Sequence, residues 1–187
     1  MLSRSRRAPR GFTLAEVLVA FALIAILAAV ILPTVRGRLQ DGYENALVQE
    51  LTSLSSAITA YRQDVGKYPR QLDYLTALPA GATDFCGRAL LPSESAKWRG
   101  PYVSRIITTA AVYVVAQKDS VQDLLTRPAG NNAVIQIVIA GADTATAHDV
   151  DFKIDGTVNQ AAGVLQWAVN GTSTAMSYAI PTRPNGC

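Results

Sequence analysis

Little in this sequence is equipped for chemistry. Its 187 residues include one histidine, His148, and two cysteines, Cys86 and Cys187. They provide no histidine–cysteine metal cluster, and the chain has no phosphate-binding glycine loop or nucleophile elbow. The expectation is a non-enzyme with no cofactor and no nucleotide site, and His148 reads as a loop residue. Charge is also sparse, at 17% of residues against 49% hydrophobic. The net charge of +3 is lopsided, because Arg4, Arg6, Arg7 and Arg10 all precede Gly11. Past Gly11, 13 basic residues face 14 acidic ones and the formal charge is −1. A nucleic-acid partner therefore loses its electrostatic support. Lys97, Arg99 and Arg105, near Trp98 and Tyr102, read as a solvated basic rim rather than a phosphate-binding surface.

What the chain does have is a long apolar run. Val17 to Leu32 is uninterrupted, and Arg10-Gly11-Phe12-Thr13-Leu14-Ala15-Glu16 precedes it. As a helix, residues 12–32 would span roughly 31 Å, about one hydrocarbon core. The arginine-rich start keeps the N-terminus cytoplasmic and sends the rest across the membrane. Glu16 is the anomaly, since a charge buried on a lone membrane helix costs at least about 3 kcal/mol. A new amino terminus about one helical turn away would neutralise it, and a cut after Gly11 creates one at Phe12. An ordinary signal peptide, cut near Ala25-Ile26-Leu27-Ala28-Ala29, and a plain signal anchor both leave Glu16 unexplained. Arg6-Arg7 alone is weak support for a twin-arginine signal.

The Gly11, Phe12, Thr13, Leu14 and Glu16 pattern resembles the signal shared by type IV pilins and type II secretion pseudopilins. Two further segments carry the resemblance. Tyr61-Arg62-Gln63-Asp64-Val65-Gly66-Lys67-Tyr68-Pro69 resembles the Y-x-x-D-x-G-x-Y-P segment of many pseudopilins. Trp98-Arg99-Gly100-Pro101-Tyr102 resembles the W-x-G-P-Y segment of the major pseudopilin. The resemblance implies a filament subunit. A prepilin peptidase would cut after Gly11 and N-methylate Phe12, and Glu16 would set subunit register by pairing with a neighbour's amine. Partners would be other copies or other pilin-like subunits, the prepilin peptidase and an inner-membrane assembly platform. A type IV pilin or minor pilin acting in adhesion, motility or DNA uptake is the alternative. Residues 104–187 are unlike the major pseudopilins, with no Asp-Pro stretch.

The implied fold is α+β: a long N-terminal transmembrane and amphipathic helix packed on a small antiparallel β-sheet. Residues 1–11 read as a leader, 12–32 as the membrane and filament-core half of the helix, 33–65 as its amphipathic half, and 66–187 as a periplasmic globular domain. Tyr43, Leu47, Leu51, Leu54, Ile58, Tyr61 and Val65 follow helical spacing, with Asp41, Glu44, Gln49, Glu50, Ser55 and Arg62 off that seam. Pro33 predicts a kink near residues 29–33. Leu72, Leu75 and Leu78 suggest a short helix. Ile106–Gln117, Ala133–Ala140, Val150–Ile154 and the stretch from Thr157 onward read as strands, with a hairpin turn at Asp155-Gly156. Gly171–Ala175 and Pro181–Cys187 read as loop and tail. Asp149, Asp151 and Asp155 are weak calcium candidates; strand alternation instead puts them on a solvated face with Val150, Phe152 and Ile154 inward. Cys86 and Cys187 both fall beyond the span, where an oxidising compartment favours a disulfide.

Overall fold

The computed structural model describes residues 12–104, 112–115, 119–122, 125–126, 134–170 and 173–182. The chain divides into two compact units, one ending at Gly42 and the other beginning at Tyr43.

Helix α1 runs Leu14–Val65. Its apolar part, residues 14–32, is long and apolar enough to cross a membrane. Phe12, Leu18, Phe21, Ile24, Leu27 and Ile31 are all exposed within the single chain. Pro33 lies inside α1, and helix continues on both sides of it. The backbone bond that Pro33 cannot donate therefore weakens the helix without ending it.

In the second unit α1 turns one face inward. Leu47, Leu51, Leu54, Ile58, Tyr61 and Val65 are buried, as their spacing predicts, and Ala57 joins them, whereas Tyr43, the first residue of that seam, is only half-buried. Glu44 departs from expectation. It is buried at 2% exposure rather than lying off the seam. Lys153 reaches it with a 2.7 Å ion pair that offsets the cost of taking the carboxylate out of water.

Among the described residues five strands form one antiparallel sheet in the order β1-β2-β3-β5-β4. They are β1 Val112–Val115, β2 Asp119–Gln122, β3 Val134–Ala142, β4 Leu165–Asn170 and β5 Ser173–Pro181. Alternation in β3 sends Ile135, Ile137 and Ile139 inward, opposite Ile180, Tyr178 and Met176 of β5. These side chains share one core with the buried face of α1. Each large aliphatic residue removed from water there contributes about 2 kcal/mol. A 3-10 turn at Leu72–Leu75 stands where the leucine spacing suggested a short helix, and a one-turn helix α2 covers Pro92–Ser95.

The segment read as a strand at Val150–Ile154 is helical. Helix α3 spans Thr144–Asp155. Asp143 caps it, accepting from the Thr146 amide at 2.7 Å, and Thr146, Ala147, Val150 and Asp151 form its buried face. Gly156 ends it in the left-handed conformation, φ 72°, so Asp155-Gly156 is a helix stop and not a hairpin turn. Phe152, expected inward, is 58% exposed. The β-branched and aromatic content imitated a strand, but the two caps and the 3–4 spacing of buried positions decide for helix. Gly171–Ala175 was expected as loop, yet β5 already begins at Ser173.

Candidate functional site

The N-terminal site is built on the first turn of α1. Thr13 and Glu16 bond reciprocally. The Thr13 amide and hydroxyl each donate to Glu16 Oε2 at 2.8 Å, and the Glu16 amide donates to Thr13 Oγ1 at 3.2 Å. This is a capping box, which satisfies amide donors that an open helix end leaves unpaired. Glu16, Phe12, Val17, Ala20, Phe21 and Ile24 line a groove of ≈ 360 Å³. Glu16 therefore holds its place by bonding within its own turn while facing an apolar surface. The role of Thr13 was missed in the sequence, although T-x-x-E ahead of an apolar run is the pattern that reveals it. Gly11 lies outside the described residues.

The two internal segments meet. Gly66, with φ 84°, closes α1 by donating its amide to the Arg62 carbonyl at 2.8 Å. The Arg62 guanidinium lies 4.7 Å from the Tyr68 ring centroid. Trp98 and Tyr102 stack edge-on at 5.9 Å, and Tyr102 packs the same way on Tyr61 at 5.8 Å. The Tyr102 hydroxyl donates to Asp64 Oδ2 at 2.8 Å and accepts from the Arg99 amide at 3.0 Å. Trp98 Nε1 donates to the Tyr74 carbonyl, and the Tyr102 amide donates to the Leu75 carbonyl. A side chain at position 100 would run into the Trp98 indole, which accounts for Gly100. Two segments that are distant in sequence thus form one lock on the C-terminal end of α1. Trp98 and Tyr102 are committed to it, while Lys97 and Arg99 are exposed. Arg105 lies outside the described residues. Burial raises the Tyr61 and Tyr102 hydroxyls above the usual tyrosine pKa.

The three candidate calcium ligands serve other purposes. Asp149 is exposed beside His148, at 3.2 Å. Asp151 is fully buried, contrary to the solvated face expected of it, and its Oδ2 accepts from the Asn159 amide and from Trp167 Nε1. Asp155 accepts from the amides of Val164 and Leu165, one on each oxygen, at 3.0 Å. Asp151 and Asp155 thereby fasten the loop from α3 to β4. Among the described residues no three histidine, cysteine or acidic side chains converge on a metal position. Cys86 lies in a turn organised by Asp84, whose Oδ1 accepts from the Cys86 and Arg88 amides. Cys187 lies outside the described residues.

Comparison with known proteins fits this geometry. The family described as "Prokaryotic N-terminal methylation motif" matches residues 6–32. The family described as "Type II secretion system (T2SS), protein G" matches residues 34–153. That match runs well past Tyr102, which corrects the expectation of a departure from the family pattern for residues 104–153. Relatives include the type II secretion system core protein G of Klebsiella michiganensis, 33% identical over 39% of this chain and 51% of that protein. The protein of the same name from Aeromonas hydrophila is 30% identical over 42% of this chain and 57% of its own length. That from Vibrio cholerae is 27% identical over 55% and 66%. The chain spans about half the length of the curated relatives it matches. No solved structure matches. With a membrane-length apolar helix behind a methylation motif, and a protein G match over residues 34–153, the chain belongs to the type II secretion system protein G family.

Proposed function

We propose that this chain is a pseudopilin, a structural subunit of a pilus-like filament in a type II protein secretion system. A prepilin peptidase cuts after Gly11 and methylates Phe12. The apolar half of α1 anchors the subunit in the inner membrane, with its N-terminus cytoplasmic and residues 66–187 periplasmic. The subunit then passes through an inner-membrane assembly platform into a homopolymer, or into a filament mixed with other pilin-like subunits. Its work is mechanical, and the energy comes from elsewhere in the machine.

One observation carries this reading: an apolar helix face, exposed throughout, with a carboxylate at its mouth. Such a surface needs lipid first and neighbouring helices afterwards. Glu16 gains most from a neighbour's amine in the low-dielectric filament core, because an unpaired buried charge is costly there. Secretion is preferred to a type IV pilin role because the protein G match covers the lock formed by Asp64, Trp98 and Tyr102. A Cys86–Cys187 disulfide would tie the end of the chain to the Asp84 turn.

Glu16→Ala tests the reading. Membrane insertion should persist while filament assembly is lost or slowed at least about tenfold, scored by shearing and immunoblotting of surface filaments under overexpression. Normal filaments from the variant would sink it.

A further inference from the structure

Residues 33–42 hold Pro33, Gly37 and Gly42, the residue types least favourable to a helix interior. A side chain at Gly37 or Gly42 would meet nothing within 4 Å, and none of residues 12–43 is buried. This stretch of α1 therefore combines three poor helix formers with no buried residue. Burial begins abruptly at Glu44.

Glu44 is an unusual residue to begin a core. Its carboxylate pairs with Lys153 Nζ, contributed by the last turn of α3 across 109 positions of sequence. Helix α3 is itself fastened. Asp155 accepts from two backbone amides at the start of β4, Asp151 accepts from the Trp167 indole within β4, and Gly156 closes the helix end. A path of polar contacts thus leads from the first buried turn of α1, through α3, into the sheet.

We propose that the Glu44–Lys153 pair is a clasp that fixes how far α1 can unwind. Loss of helix that starts at Pro33 passes through Gly37 and Gly42 and stops at Glu44, because going further would break the 2.7 Å ion pair with Lys153. The use of such a limit during filament packing rests on the pseudopilin reading; the clasp itself does not. It lets the segment below Gly42 yield without opening the core that begins at Leu47.

Hydrogen exchange on the full-length chain in detergent micelles tests the clasp. In the parent, amides of 34–43 should exchange quickly and those from 48 upward slowly. Glu44→Gln and Lys153→Met should each speed exchange at 46–51 by at least about tenfold, with amides of 135–139 unchanged. Lys153→Arg keeps the charge and should hold exchange at 46–51 within about threefold of the parent. Unchanged exchange at 46–51 in both disrupting variants would overturn the proposal. So would equal acceleration of α1 and the sheet, which would mean general destabilisation. Failure of the filament reading would appear instead as normal assembly of Glu16→Ala, with this exchange pattern intact.

Discussion

Tyr102→Phe probes the lock at the end of α1 with the least disturbance. The change keeps the ring and both edge-on contacts, at 5.8 Å to Tyr61 and 5.9 Å to Trp98. It removes only the hydroxyl, which gives 2.8 Å to Asp64 and takes 3.0 Å from the Arg99 amide. A hydrogen bond to a charged acceptor contributes about 1.5–3 kcal/mol. Tyr102 and Asp64 are both half-buried, so solvent screening moves the expected loss to about 1–2 kcal/mol. Tyr102→Ala also forfeits the ring, and the loss should rise to about 3–5 kcal/mol. Urea titration of the full-length chain in micelles, followed by tryptophan fluorescence, would read these differences as shifts in midpoint at constant slope. The cycle with Asp64→Ala should show a coupling of about 1 kcal/mol with Tyr102→Phe. Additive effects, or a Tyr102→Phe loss below about 0.3 kcal/mol, would show that the contact does not stabilise the helix end.

Three other outcomes are expected. Tyr61 is fully buried and its hydroxyl has no partner among the described residues, so Tyr61→Phe should be neutral or stabilising by up to about 1 kcal/mol near pH 7, measured by the same titration. Burial raises the Tyr61 and Tyr102 pKa values in the fold. Their contribution is therefore fully present below the ordinary tyrosine value, about 10, and is lost as pH climbs through the higher folded values. Denaturation midpoints should fall above about pH 10, less so in Tyr61→Phe; a flat alkaline profile would refute this. Asp151→Ala strands the Trp167 indole N–H in the core and should cost about 2–4 kcal/mol, whereas a loss under about 0.5 kcal/mol would mean the bond is replaceable. Gly11→Leu should block maturation, so mature-length protein recovered from that variant, seen by gel shift, would count against cleavage at Gly11.

What the sequence disclosed depended on the range of the interaction. The seam from Tyr43 to Val65 is local periodicity, and each of its positions past the half-buried Tyr43 is buried as the spacing implies. The stop at Gly66 is equally local. The Tyr61–Pro69 and Trp98–Tyr102 segments stood out as patterns, yet their joining through Asp64 and Tyr102 spans 38 positions and leaves no periodic trace. The Glu44–Lys153 pair, 109 positions apart, is harder still: a lone glutamate on an amphipathic helix reads as a solvated face. The error at Val150–Ile154 has another origin. Alternating Asp, Val, Asp, Phe, Lys and Ile satisfies a period of two, while the evidence for helix lay outside the window, in Asp143 and Gly156. Thr13 was legible too, as the threonine of a T-x-x-E capping box ahead of the apolar run.

The central claim is that this chain enters a filament by the prepilin route. Intact-mass spectrometry of the unreduced protein, extracted from its native membrane, tests it most directly. The account predicts a chain that begins at a methylated Phe12 and is two hydrogens short, from the Cys86–Cys187 bond. A full-length chain, or one cut near Ala28, would contradict it, and the assembly role given to Glu16 would fall with it.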